Sequence, residues 1–199
     1  MKSRNWKKVL KKVWHFIWEE DSIWSWLVNI ILAFVLIKYI VYPGLGFLLG
    51  TTHPIVAVVS GSMEHNDNFD DWWVIHQEYY KDFNISKEEF LSFQFKNGFN
   101  KGDIMVLLGK DPEKINIGDI IVFNGGRKDP IIHRVIKKWE ENGKIYFQTK
   151  GDHNIQSMES LELRIPETQV IGQALFRVPL LGYIKIWFVD LLRLVGIVS

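Results

Sequence analysis

The stretch "PIIHRVIKKWEENGKIYFQTKGD", Pro130 to Asp152, decides the fold. Two alternating runs rich in β-branched and aromatic residues flank Asn142-Gly143, the strongest short hairpin signal, because both residues tolerate the positive φ of a two-residue type I′ loop. Such a turn fixes the register. Glu141 opposes Lys144, Trp139 opposes Tyr146, Lys137 opposes Gln148 and Val135 opposes Lys150. With no bulge, His133 then opposes Asp152. Directly opposed side chains have Cβ atoms ~4.5–5.5 Å apart, so this register brings an imidazole within reach of a carboxylate. Four further runs read as strands: "PIVAVVS" (54–60), "GDIMVLL" (102–108), "GDIIVFN" (118–124) and "QVIGQALFRV" (169–178). All are short and bounded by Gly, Pro, Asn or Asp, which predicts a mainly β domain with antiparallel neighbours.

Upstream of these strands the composition changes. From Ile23 to Gly50 the only charge is Lys38, and a helix needs ~20 mostly apolar residues to cross a bilayer core. Trp18, Trp24 and Trp26 stand at one end and Tyr39 and Tyr42 at the other, the places interfacial aromatics take. Pro43 and Gly44 end the apolar pattern. Residues 1–21 form a basic amphipathic segment, with Lys7, Lys8, Lys11 and Lys12 on one face and Val9, Leu10, Val13 and Trp14 on much of the other. Positive charge stays on the cytoplasmic side, so the expected topology is a single uncleaved span over 22–49 in the cell membrane. The N-terminus would be cytoplasmic and residues 50–178 an extracytoplasmic domain.

The whole chain has 199 residues, no cysteine and a net charge of +1. Disulfides and thiolate metal sites are excluded, and near-neutrality argues against a nucleic-acid partner. No cofactor or metal is expected. An insert at 64–101 interrupts the strands. Within it Ser86 and Glu89 have capping-box spacing, followed by Phe90, Leu91, Phe93 and Phe95, which predicts one short helix in a long loop. Phe69, Trp72 and Trp73 read as an interfacial aromatic belt. The tail 179–199 is apolar but broken by Lys185, Asp190 and Arg193, which suits a membrane-docked helix better than a second span.

Chemistry enters through Ser60-Gly61-Ser62, His133 and Asp152. A histidine held by a carboxylate lacks only a hydroxyl to become an acyl-transfer site. Ser62 or Ser60 can supply it, and the other serine can donate to a developing oxyanion. Lys137 or Lys150 stands as an alternative base in a Ser–Lys dyad.

The boxes "SGSME" (60–64), "GDIIVF" (118–123), "IIHRV" (131–135), "TKGDHN" (149–154) and "FRVPLLGYIKIW" (176–187) resemble, in order and spacing, those of type I signal peptidases. The likeness is to the archaeal and endoplasmic-reticulum branch, in which histidine replaces the lysine base. It implies a signal-peptidase-like antiparallel β fold behind one transmembrane helix. It also implies a membrane-anchored serine endopeptidase that removes signal peptides from secreted preproteins after small residues at positions −1 and −3. Under it Ser62 is the nucleophile, His133 the general base and Asp152 the acidic partner. Ser60 and Ser62 form the oxyanion hole, and Val56, Val58, Val59 and Met63 line the substrate site. The implied partners are preprotein signal peptides, the lipid bilayer and the protein-translocation machinery. Two positions depart from the pattern. His65 stands where the family has proline, and Met158, with Glu159 beside it, stands where the branch has a second acid. His65 and His153 are expected to be solvent-exposed. These departures sustain an alternative, a catalytically inactive relative serving as a binding or scaffold subunit of a secretion complex.

Overall fold

The computed structural model describes residues 3–66, 68–194 and 196. Two compact units divide the chain, Met1–Leu48 and Leu49–Ser199.

The first unit begins with helix α1 (Ser3–Trp18), whose lysines and apolar residues recur at i, i+3 and i+4 and so separate onto opposite faces. Ser22 caps the next helix, α2 (Ile23–Leu36), by accepting the Ser25 N–H. A π-helical turn over Ile37–Val41 joins α2 to α3 (Tyr42–Leu49). The helix runs on through Pro43 to Leu49. Proline has no N–H to give the carbonyl four residues back and crowds it, and the wider π turn just before it accommodates the defect. The resulting helix, Ile23–Leu49, has 27 residues and is long and apolar enough to cross a membrane.

The second unit is built on one seven-stranded sheet of order β1-β2-β7-β3-β4-β5-β6, with every pairing antiparallel. Its strands are β1 (Ile55–Ala57), β2 (Ile104–Leu108), β3 (Ile120–Phe123), β4 (Ile131–Glu141), β5 (Lys144–Lys150), β6 (Ile165–Pro166) and β7 (Val170–Val178). Six of these fall in the six runs read from the sequence; the two-residue β6 was not anticipated. Both faces of the sheet are covered. Along β3 every residue is buried: Ile120 and Val122 enter one core with Met63, Met105 and Leu107. Ile121 and Phe123 enter another with Val135, Phe147 and Ile165. That is the period-two alternation of a strand read on two dry faces.

The insert forms a third core. Asn68 accepts the Asp71 N–H to start α4 (Phe69–Lys81), a helix the sequence reading did not foresee; Ser86 accepts the Glu89 N–H to start α5 (Lys87–Ser92), the short helix that it did. Trp72 and Trp73 are only 3% and 4% exposed, packed with Tyr80, Ile85 and Phe90 against Ile136 of β4. They are core residues, so the interfacial-belt reading fails for both. The insert roofs the face of β4 that carries Arg134 and Ile136, and its aromatic rings supply the burial.

The chain closes with α6 (Tyr183–Leu194), on which Ile184, Trp187, Phe188 and Leu191 are exposed. The end of the expected membrane-docked tail, residues 195 and 197–199, lies outside the described residues, as do Met1 and Lys2 of the basic segment.

Candidate active site

The β4–β5 turn forms as read, with Asn142 and Gly143 at φ 54° and 71° and Glu141 opposite Lys144. The register holds back to Lys137 opposite Gln148 and then slips: Val135 opposes Thr149 and Arg134 opposes Lys150. Ile136 is the extra residue of a β-bulge, which bends the strand and re-aims its side chains. Its own side chain is buried under the insert beside Trp72 and Phe90. The consequence corrects the expected pairing: Arg134, and not His133, meets Asp152.

Asp152 is fully buried and saturated. Arg134 donates to it from Nε at 2.9 Å and from Nη2 at 2.6 Å, Tyr80 Oη donates at 2.9 Å, and His65 Nε2 lies 3.2 Å from Oδ2. Burial alone would raise its carboxyl, but the Arg134 guanidinium and the bonds from His65 and Arg134 hold it far below the usual carboxylate range. His65 is therefore no exposed spare. Its side chain is 2% exposed and stacks on Trp72 with centroids 3.8 Å apart. His153 is exposed as expected, while its backbone N–H donates to Ser62 O at 2.9 Å.

His133 finds a different carboxylate. Its Nδ1 hydrogen-bonds Glu162 Oε1, and its Nε2 lies 2.9 Å from Ser62 Oγ. Glu162 is wholly buried, and it also accepts from Thr149 Oγ1 at 3.0 Å and from the Met158 N–H at 2.8 Å. A carboxylate accepting at Nδ1 keeps the proton of a neutral imidazole there, so Nε2 presents its lone pair to the serine. Met158, standing where the branch has its second acid, supplies a backbone donor instead; the acid stands four residues further along the same loop. In "ESLELRIP" (159–166) Glu162 sits between Leu161 and Leu163, an alternation that reads as a half-exposed strand with the acids outward. The structure inverts it: Glu162 is buried and Leu163 is exposed. An acid within an apolar run beside a histidine-bearing hairpin was the available signal. Glu159 is exposed.

Ser60 Oγ lies 3.2 Å from Ser62 Oγ. Behind the serines the chain is tied down, with Met63 O accepting the Phe99 N–H and Met63 Sδ the Asp152 N–H. Gly151 is required by close approach. A Cβ there would lie 2.7 Å from Ser62 O and 2.8 Å from His133 Nε2. The two lysines offered as bases are elsewhere engaged. Lys150 Nζ is buried against Gly151 O, Asp152 O and Tyr80, and burial lowers its pKa to about 8 against the raising effect of Asp152. Lys137 is exposed beside Trp139.

In front of the pair is a cleft of about 410 Å3 whose walls include Ala57, Val59, Ser60, Ile132 and Met158. Of the expected substrate-lining residues, Val59 is in this wall. Val58 and Met63 are in the core and Val56 packs against it, because alternation along the strand sends Ala57 and Val59 the other way. Two open strand edges flank the cleft. β1 is an edge strand, and Ile131–His133 pair with β3 alone, since the pairing with β5 begins at Arg134. The larger hollow near the hairpin tip, beside Trp139 and Glu167, contains none of these reactive groups.

A serine hydroxyl, an imidazole and a buried carboxylate joined in one hydrogen-bonded line form the arrangement of triad-type acyl-transfer hydrolases. No family model matches the chain. Individual relatives do. The chain is 32% identical over 152 residues to the signal peptidase complex catalytic subunit SEC11C of Homo sapiens, covering 73% of this chain and 62% of that one. It is 28% identical over 165 residues to sec11 of Sclerotinia sclerotiorum (78% and 77% covered) and 29% over 156 residues to SEC11 of Scheffersomyces stipitis (74% and 73%). These relatives, 28–32% identical over most of the chain, are named as catalytic subunits of the signal peptidase complex, the branch that the sequence boxes resemble.

Proposed function

We propose that this protein is a membrane-anchored serine endopeptidase that removes signal peptides from preproteins. The observation that carries the reading is the unbroken line Ser62 Oγ, His133 Nε2, His133 Nδ1, Glu162 Oε1, which would not need to be kept in a scaffold subunit. An extended peptide enters the cleft and adds to an open strand edge, with Ala57 and Val59 admitting only small side chains next to the serine. Ser62 Oγ attacks the scissile carbonyl as His133 Nε2 takes its proton. The new oxyanion is met by the Ser60 hydroxyl and the Ser62 N–H. The tetrahedral intermediate collapses to a Ser62 acyl-enzyme as the proton passes from Nε2 to the leaving amine. Water, activated by the same nitrogen, then releases the signal peptide. Glu162 replaces Asp152 as the acidic partner, and Asp152 holds the frame. The helix Ile23–Leu49 anchors the protein in the bilayer with the N-terminal lysines on the cytoplasmic side. Purified protein should cleave a preprotein carrying alanine at −3 and −1, and Ser62→Ala and His133→Ala should each abolish the cut. Cleavage that persists in both variants would overturn the mechanism, and absence of cleavage by the intact protein would favour the scaffold role.

A further inference from the structure

The amphipathic helix α1 has large apolar side chains facing outward, and no described residue of its own unit covers them. Trp6, Val9, Leu10, Val13 and Trp14 are each 46–61% exposed, an apolar strip longer than soluble surfaces ordinarily leave open. The opposite face carries Lys7, Lys8, Lys11, Lys12 and His15, and the helix has no acid. Its position relative to α2 is fixed by specific bonds. Ser25 Oγ donates to Phe16 O at 2.5 Å and Asn29 Nδ2 to Ile17 O at 2.9 Å. These carbonyls belong to the last turn of α1, where no intrahelical donor remains. The first turns of α2 therefore spend their polar side chains on capping α1. The end of the basic helix is thereby pinned to the first two turns of the long apolar helix, which also carry Trp24 and Trp26.

We propose that α1 is a docking surface for the anionic headgroups of the bilayer leaflet on its own side, its apolar strip sunk among the acyl chains and its lysines on the lipid phosphates. Charge complementarity and continuity with the spanning helix select this occupant over a protein partner. The inference rests on the bilayer anchoring proposed above, and the experiment separates the two. The chain has no cysteine, so a single introduced thiol labels cleanly. Ile31→Cys in α2 and Val13→Cys in α1 each carry an environment-sensitive fluorophore in full-length protein in nanodiscs of phosphatidylcholine, alone or mixed with phosphatidylglycerol. An aqueous quencher should miss the Ile31 probe in both lipids; if it reaches that probe, the anchoring reading falls. The Val13 probe should be shielded in the anionic discs and accessible in the neutral ones. Each of Lys7, Lys8, Lys11 and Lys12 exchanged for glutamine should lower the docked-to-undocked ratio about fivefold, and added salt should do the same. With the Ile31 probe shielded, a Val13 probe equally accessible or equally shielded in both lipids, and indifferent to the lysines, would overturn the proposal.

Discussion

Replacing Glu162 by glutamine isolates one proton. The carboxylate accepts three hydrogen bonds, from His133 Nδ1 and Thr149 Oγ1 on Oε1 and from the Met158 N–H on Oε2. An amide has one oxygen and one NH2 to serve both sides. Placing the NH2 against the Met158 N–H sets donor against donor, so the oxygen takes that side and the NH2 faces His133. Nδ1 must then accept, the ring proton moves to Nε2, and the nitrogen 2.9 Å from Ser62 Oγ becomes a donor that cannot take the serine proton. In a triad the wrong tautomer costs about 10⁴ in kcat, roughly 5 kcal/mol of transition-state stabilisation, with the geometry left intact. We therefore expect Glu162→Gln to lower kcat by about that factor with little change in KM, since no substrate contact is lost. Asp152→Asn should behave differently. It leaves the Arg134 guanidinium buried beside a neutral amide, and breaking a buried pair costs about 3–5 kcal/mol of stability. Its signature is a lower melting temperature, with kcat of the remaining folded protein within tenfold of the parent. Steady-state cleavage of a preprotein and thermal melting on the same samples read both. A Glu162→Gln variant with near-parental kcat, beside an Asp152→Asn variant that melts normally but is inert, would return the acidic role to Asp152 and refute the argument.

Gly151→Ala would set a Cβ 2.7 Å from Ser62 O, a backbone atom that cannot swing aside, so the nucleophile loop or His133 must move. We expect about 1–3 kcal/mol of destabilisation, seen as a shift in melting, and a kcat loss of at least tenfold. Tyr80→Phe removes the 2.9 Å donor to the buried Asp152 carboxylate and should cost about 1–3 kcal/mol in denaturant unfolding, with kcat unchanged within a few-fold. His76 is buried against Trp72, and burial first, then the positive Lys150, lower its pKa from 6.5 to about 4. The unfolded chain binds that proton from about pH 6.5 downward while the folded chain resists it to about 4, so stability should fall as pH drops through this window. His76→Phe should flatten that part of the pH–melting curve, and an unchanged slope would refute the assignment.

What could be read from the sequence follows the range of each signal. Strands announce themselves through neighbours two residues apart, and the Asn142-Gly143 turn fixed its own register for as long as nothing outside the hairpin intervened. The register failed at Ile136, because the bulge answers to a packing partner, the Trp72–Phe90 cluster, that lies 46 or more residues away in the chain. The same distance hid α4. Its acids and tryptophans show a weak helical stripe, and only the sheet beneath explains why two tryptophans in sequence are both buried. Ser62 and His133, which the structure brings within 2.9 Å of each other, could be singled out from the sequence because a hydroxyl and an imidazole in short boxes carry their chemistry with them. Glu162 was not, because an acid between leucines looks like any solvated strand position until His133, Thr149 and the Met158 N–H are seen around it.

The two buried carboxylates near β5 differ in the charge of what surrounds them, and in the proposed mechanism that difference divides their work. Asp152 receives a guanidinium through two bonds, then a phenol and an imidazole; its charge is already matched, and what remains is stiffness. A group in that state can hold the loop bearing Met63 and the strand bearing Arg134 in place, but it offers little field to a second cation. Among the described residues Glu162 receives only neutral donors besides His133, a threonine hydroxyl and a peptide N–H. These orient the carboxylate without cancelling it, so its charge is available when His133 becomes an imidazolium in a site with little water to screen it. Once Arg134 has claimed the acid that follows Gly151, an acyl-transfer site on this sheet needs a second carboxylate, and the loop from Ser157 to Glu162 supplies it.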